Sequence, residues 1–356
     1  MTRYLLAGGG TAGHVNPLLA VADRLRRDDS DAEVLVLGTA EGLEARLVPQ
    51  RGYELATIPK LPFPRRPNGA ALRFPGEYRR SIQTVRELVR TRGIDAVVGF
   101  GGYAAAPAYS AARKEGVPLV LHEANARPGL ANRLGARYTP WVGVAFEGTP
   151  LPHATFVGMP LRVEIEELDR AAARPEAAAE FGLAADRPTL LVTGGSLGAR
   201  RINQTIAARA AELTAAGWQV LHIQGGRGEL SDPGIDGYRL LDYCDRMDLA
   251  LAIADFSVAR AGAATVSEFA ALGLPAVYVP FPIGNGEQRY NAAGVIRAGG
   301  GLLVDDAAFE PSWVDASLLP LLSDRAAVDD MGRRAASAGV RDGSDRMVAL
   351  VRSALG

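Results

Sequence analysis

Short apolar runs alternate with amphipathic stretches from the amino terminus onward. Tyr4–Ala7, Val34–Leu37, Ala96–Val98 and Leu119–Leu121 have the length and the β-branched or leucine-rich make-up of buried strands. Between the first two, Leu18, Leu19, Val21, Ala22 and Leu25 fall on one helical face. Asn16 is placed to cap that helix and Pro17 to occupy its first position. The second half repeats the plan, with strands at Thr189–Thr193, Val220–Ile223 and Ala276–Val279 and helices over 200–216 and 264–272. This repetition predicts parallel sheets covered by helices, an α/β fold. The length of 356 residues suits two doubly wound domains in tandem. The chain turns alanine-rich and charged between Pro160 and Asp186, so the linker is placed at Gly158–Arg162, dividing the chain into 1–160 and 161–340.

Composition narrows the class. Hydrophobic residues at 48% and charged residues at 22% are the balance of a soluble globular protein. A single cysteine, Cys244, excludes a disulfide framework and a multi-thiolate metal cluster, and suits a reducing compartment. The run Met1–Ala7 is too short for a secretory signal. The longest uncharged window, Phe269–Gly286, is broken by Pro275, Pro280 and Pro282, which rules out a spanning helix there. The net charge of −1 conceals an asymmetry: residues 1–162 carry 21 basic and 14 acidic side chains, residues 163–356 carry 18 and 26. Nine of the basic residues lie in Lys60–Arg92, against two acidic ones, Glu77 and Glu87.

Candidate chemistry gathers at glycine-rich turns. Gly8-Gly-Gly-Thr-Ala-Gly13 follows the first strand and matches G-x-G-x-x-G, a turn that lets backbone N–H groups approach an anion. A dinucleotide-dependent oxidoreductase would also need an acid at the end of the second strand. That strand ends Leu37-Gly-Thr39, with Glu41 the nearest acid, so the fingerprint lacks its partner. Gly194-Gly-Ser-Leu-Gly-Ala199 occupies the equivalent place in the second domain. One such turn per domain implies a ligand, or two, in the cleft between them. His14, directly after the first turn, is either a general base suited to neutral pH or a helix-capping residue. His122, His153 and His222 are scattered, which argues against a histidine-bound metal. Asp29-Ser-Asp31 has the letters of a metal clamp but lies in a turn away from the glycine loops. Thr265 and Glu268 have capping-box spacing; Glu268 is either a cap or a carboxylate for a ribose diol.

Several segments together resemble one family. They are Gly9–Pro17, Gly99–Tyr103, Leu121–Asn125, Gly158–Arg162, Gly194–Ala199, Gly262–Glu268, Gln288 and Asn291-Ala292. Their order and spacing are similar to those of the peptidoglycan glycosyltransferases of family 28, the MurG family, along nearly the whole chain. The resemblance implies the GT-B architecture, two Rossmann-like doubly wound domains facing a deep cleft. It implies inverting transfer of N-acetylglucosamine from UDP-N-acetylglucosamine to the muramyl 4-hydroxyl of lipid I, undecaprenyl-pyrophosphoryl-MurNAc-pentapeptide, giving lipid II. Related GT-B transferases with another acceptor, UDP-sugar epimerases of the same fold and a non-enzymatic nucleotide-binding protein are the alternatives.

By the same resemblance, Ser196 and the segment Ala263, Ala264, Thr265, Val266, Ser267 and Glu268 meet uridine and the phosphates, with Glu268 on the ribose. Cys244 stands where the family has an aliphatic residue whose backbone contacts uracil. Gln288 and Asn125 touch the sugar, Arg162 lies near the nucleotide, and Thr11, Ala12 and Gly13 close over the donor. His14 leads as general base, with Glu123 as rival or helper. No cofactor, metal or nucleic acid is implied; helix N-termini and Arg162 suffice to meet charge developing on the diphosphate. The last helix, from about Arg341, is expected to return to the first domain. Ala12, Met159, Leu197 and Glu287 depart from the residues common in the family. A polyprenyl-linked acceptor also implies a peripheral protein at the cytoplasmic face of an anionic membrane. Phe63, Arg66, Leu72, Arg73, Phe74, Arg79, Arg80 and Arg86 interleave basic and apolar side chains suited to that contact.

Overall fold

Strand β1 (Arg3–Ala7) shows why the apolar runs become strands. Tyr4 and Leu6 enter one core and Leu5 and Ala7 another, the two-residue alternation of an extended chain buried on both faces. The computed structural model describes residues 1–64, 69–195, 198–226, 228–282 and 286–356. They form two compact units: Met1–Arg162 with Arg341–Gly356, and Val163–Val340. Gly158–Leu161 stays with the first unit because Met159 and Leu161 are buried there and the Leu161 carbonyl accepts from Ser344 Oγ. The boundary therefore falls after Arg162 rather than after Pro160.

In the first unit β1 is joined by β2 (Glu33–Gly38), β3 (Glu54–Thr57), β4 (Ala96–Gly99), β5 (Leu119–Glu123), β6 (Trp141–Val144) and β7 (Ala154–Phe156). All pair in parallel in the order β3-β2-β1-β4-β5-β6-β7. The order reverses between β1 and β4, where Ala7 is level with Gly99. In doubly wound sheets a ligand site opens at that reversal, beyond the carboxyl ends of the strands. One face is covered by helix Ala12–Asp28 and by the last helix, Gly343–Leu355, which contributes Met347, Val348 and Val351 to the core. Helices Gly69–Arg92 and Ala105–Glu115 cover the other.

The second unit contains β8 (Thr189–Thr193), β9 (Gln219–Ile223), β10 (Tyr238–Leu241), β11 (Phe256–Ala259), β12 (Ala276–Tyr278) and β13 (Gly301–Leu303), ordered β10-β9-β8-β11-β12-β13. Its reversal lies between β8 and β11, with Thr193 level with Ala259. No helix among the described residues is long and apolar enough to cross a membrane.

Two local expectations are corrected. Helix Ala12–Asp28 begins at Thr11 as N-cap, so Asn16 and Pro17 lie inside it. Pro17, one turn in, forfeits a single ladder bond and leaves the helix intact. Helix Ala263–Ala271 is capped by Gly262, so Thr265 is not an N-cap and the capping box with Glu268 does not form.

Candidate active site

At the first reversal point two glycine turns interlock. Gly8–Gly13 leaves β1 and Gly99–Tyr103 leaves β4. A Cβ at Gly102, whose φ is +86°, would run into the backbone of Gly9. Gly101 has φ +84°, and a Cβ there would lie 3.2 Å from His14 Nε2. Glycine at these positions is thus set by the close approach of the two turns and by the imidazole beside them.

His14, in the first turn of helix Ala12–Asp28, is half-buried. Its Nδ1 lies 3.1 Å from the Gly9 carbonyl and 3.2 Å from Thr11 Oγ1. A carbonyl can only accept, which assigns the proton to Nδ1 and leaves Nε2 with a bare lone pair. Burial lowers the ring's basicity, and the charges of Glu123 and Glu44 and the Gly9 bond recover part of that loss. The net effect is an imidazole held below its ordinary range and neutral at neutral pH, the state a general base needs.

Glu123 closes β5 and is buried. Its Oε1 accepts from Asn125 N at 2.9 Å and from the Asn125 amide at 3.4 Å. Its Oε2 accepts from Gly129 N and Asn132 Nδ2, both at 2.9 Å. A carboxylate so occupied organises the loop that carries Asn125 and lends its charge to His14. It is poorly placed to seize a proton itself. Asn132 also donates to the His122 carbonyl and accepts from Tyr109 Oη at 2.7 Å, while Gly101 N donates to that hydroxyl at 3.2 Å. The chain of bonds ties the β4 turn to the β5 turn. Arg162 lines a cavity of about 160 Å³ in this unit with Asn16, Asp23 and Arg51.

Three contributors escape the sequence reading: Asn132, Tyr109 and Glu44. Glu44 opens helix Glu44–Gln50 and is buried. Its signal is the cluster Gly38-Thr39 and Gly42 just before it, glycines whose Cβ atoms would overlap its carboxylate. Burial alone would raise its pKa; bonds from the N–H groups of Gly10, Glu44 itself and Thr39, and from the Thr39 hydroxyl, outweigh that and hold it low.

In the second unit, helix Ala263–Ala271 starts at the end of β11 with Gly262 extended as N-cap. The N–H groups of Ala263, Ala264 and Thr265 are those that a helix start leaves for a ligand. Val266 leaves this set. Its N–H bonds the Gly262 carbonyl at 2.9 Å and its side chain is fully buried, so it belongs to the core. Ser267 and Glu268 lie on the partly exposed side of the helix. Gln288 Oε1 accepts from Phe281 N at 2.9 Å, leaving the Nε2 end of its amide for a ligand. Cys244 is buried, which pushes its thiol up to about 11. Ser196 and Leu197 lie outside the described residues, as does Arg66. Asp29 accepts from Asp31 N at 3.0 Å in its own turn, and no group of three metal-ligating side chains occurs among the described residues.

Around helix Gly69–Arg92 the residues expected at a membrane divide. Leu72, Arg73, Arg79 and Arg80 are exposed, and Phe63 is 62% exposed beside Phe74, with ring centroids 5.4 Å apart. Arg86 is instead bonded to Glu115 at 2.6 Å, shared with Arg90, which takes it out of the set of outward charges.

Two long stretches of the chain match known sequence models. Residues 4–143 fit the glycosyltransferase family 28 N-terminal domain and residues 189–347 fit the glycosyltransferase family 28 C-terminal domain. The chain belongs to glycosyltransferase family 28. It is 84% identical over 355 residues to the UDP-N-acetylglucosamine--N-acetylmuramyl-(pentapeptide) pyrophosphoryl-undecaprenol N-acetylglucosamine transferase of Leifsonia xyli subsp. xyli, covering 100% of this chain and 99% of that one. The enzyme of the same name from Streptomyces coelicolor is 53% identical, with 99% and 98% covered. The crystal structure of Acinetobacter baumannii MurG superposes with a TM-score of 0.79 at 27% identity, covering 99% of this chain and 100% of that one. The family 28 chain is thus of the GT-B class, two parallel-sheet units each with a glycine turn at its reversal point. A UDP-GlcNAc 2-epimerase from Neisseria meningitidis, at 14% identity and TM-score 0.71, shares the fold alone.

Proposed function

We propose that this protein transfers N-acetylglucosamine from UDP-N-acetylglucosamine to the muramyl 4-hydroxyl of lipid I, releasing UDP and forming lipid II. The observation that carries the reading is full-length identity of 84% to a curated enzyme of that name. Inversion is one in-line displacement. The acceptor oxygen attacks the anomeric carbon, the bond to the UDP oxygen breaks on the opposite face, and the hydroxyl proton passes to a base. His14 is that base, because its Nε2 lone pair is bare and its ring neutral. Glu123 supports it by charge and by holding the Asn125 loop. Charge growing on the departing diphosphate is met by the N-terminus of helix Ala263–Ala271, with Glu268 and Gln288 orienting the ribose and sugar. The first unit receives the acceptor and the second the nucleotide sugar.

The acceptor's lipid tail brings the protein to the cytoplasmic face of an anionic membrane. Phe63, Leu72 and Phe74, flanked by Arg73, Arg79 and Arg80, supply apolar and basic contacts. The reading of the reaction is tested by UDP release with and without a lipid I analogue, in excess chelator. Release that depends on the analogue and persists in chelator is expected. Acceptor-independent release, or loss restored by a divalent ion, would refute the corresponding part.

A further inference from the structure

No acid ends β2, but Glu44, which opens the helix after it, turns its carboxylate under the glycine loop. Glu44 Oε2 accepts from Gly10 N at 2.7 Å, and Oε1 accepts from Thr39 N at 2.9 Å and Thr39 Oγ1 at 2.8 Å. The space it fills exists because residues 9, 38 and 42 are glycines. Gly10 N–H belongs to the same peptide group as the Gly9 carbonyl, and that carbonyl is the partner of His14 Nδ1 at 3.1 Å. One amide is therefore gripped at its N–H by a buried carboxylate and at its oxygen by the imidazole.

We propose that Glu44 and His14 form a dyad coupled through the Gly9–Gly10 peptide, in which Glu44 is a positioning residue for the base. A carboxylate at the N–H end polarises the amide and makes its oxygen a stronger acceptor. The stronger acceptor fixes the proton on Nδ1, keeps Nε2 bare and stabilises the imidazolium formed in the reaction. The acceptor's proton goes to Nε2, Nδ1 keeps its own, and none crosses the peptide. Among the described residues, the charges of Glu123 on β5 and of Glu44 on helix Glu44–Gln50 act on His14, whose own charge is felt by His122 on β5. Glu123 reaches the ring by charge alone, since its oxygens are taken by Asn125, Gly129 and Asn132. Only Glu44 is bonded to a group that is itself bonded to the ring.

The proposal rests on His14 being the base, and the test separates the two. In protein labelled with 15N-histidine, His14→Ala identifies the His14 signals among the four histidines. Glu44→Gln keeps the shape but removes the charge. It should lower the pH at which His14 protonates by roughly one unit and raise the share of the Nε2–H tautomer. The acid limb of kcat/KM should move down with it, kcat should fall about tenfold, and the donor KM should hold. A folded Glu44→Gln protein with unchanged His14 titration and tautomer overturns the coupling, even where His14→Ala is inactive. A His14→Ala enzyme that still turns over overturns the base reading by itself, and the titration in Glu44→Gln still decides the coupling. Should Glu44→Gln not fold, the wild-type protein decides: the Gly10 amide resonance should move with the His14 titration, and a flat response refutes the dyad.

Discussion

Acidification should destabilise the second unit through His222, by an amount that can be worked out. His222 is fully buried on β9, with Nδ1 2.5 Å from Tyr238 Oη and Nε2 3.2 Å from Asn203 Oδ1. Asn203 uses its amide N–H on the Gln224 carbonyl, so its oxygen accepts and His222 carries its proton on Nε2. Burial without a compensating charge pushes the ring down from 6.5 to about 4. The unfolded chain therefore binds one more proton than the folded one between those values. Stability conferred by the neutral ring is complete above pH 6.5 and is lost as pH falls towards 4. The slope is about 1.4 kcal/mol per pH unit, or roughly 3 kcal/mol over the window. Urea unfolding of a Trp141→Phe protein reads the second unit alone, because Trp218 and Trp313 both lie there. His222→Gln in that background should be less stable at pH 7 yet lose less on acidification, so the two curves converge by about pH 4.5. Parallel curves across pH 6.5 to 4.5 would mean that His222 is not buried neutral.

Three further outcomes are expected. Arg79→Glu with Arg80→Glu should weaken co-sedimentation with anionic vesicles several-fold at low salt, at roughly 1 kcal/mol per charge, and Arg86→Glu alone should instead lower the melting temperature because Glu115 loses one of its two arginine partners and gains a like charge beside it; equal vesicle binding by the double variant refutes the membrane face. Cys244, with its thiol at about 11, should carry about 100-fold less thiolate than an ordinary cysteine at a given pH, so a disulfide reagent should label it slowly until urea is added; native labelling at the unfolded rate would contradict its burial. Tyr109→Phe removes the hydroxyl between Gly101 N and Asn132 Oδ1 and should cost about 1–3 kcal/mol in urea unfolding, with a cost near zero showing that the two turns do not depend on it.

The sheets were legible where one strand meets one apolar run, as at β1, β2, β4, β5, β8, β9 and β12. The others were hidden for different reasons. β3 and β7 are edge strands, half-exposed, and lack the apolar signal altogether. β11 is fully buried but follows helix Met247–Ile253 within one long apolar stretch, and periodicity cannot divide such a run. What divides it is Asp255, which accepts from Thr189 N at 2.8 Å and pairs with Arg174. Neither partner is near it in sequence.

The same distinction governs the site. Spacing along the chain exposed the glycine turns, His14 and the Gly262–Glu268 helix start, because a turn and the helix after it are written in consecutive residues. It credited Val266 as a ligand residue because a helix start looks alike on its buried and exposed faces until the core is known. It credited Arg86 to the membrane because Glu115 lies on another helix. Glu44 is the sharpest instance. Its meaning depends on the glycines at 9 and 38 and the amide of residue 10, all brought to it by the β1–β2 pairing. Read by itself, the missing acid after β2 argued only against a dinucleotide. In the fold, the acid is displaced into the helix that follows and turned under the glycine loop, where it holds from beneath the peptide that His14 meets from above.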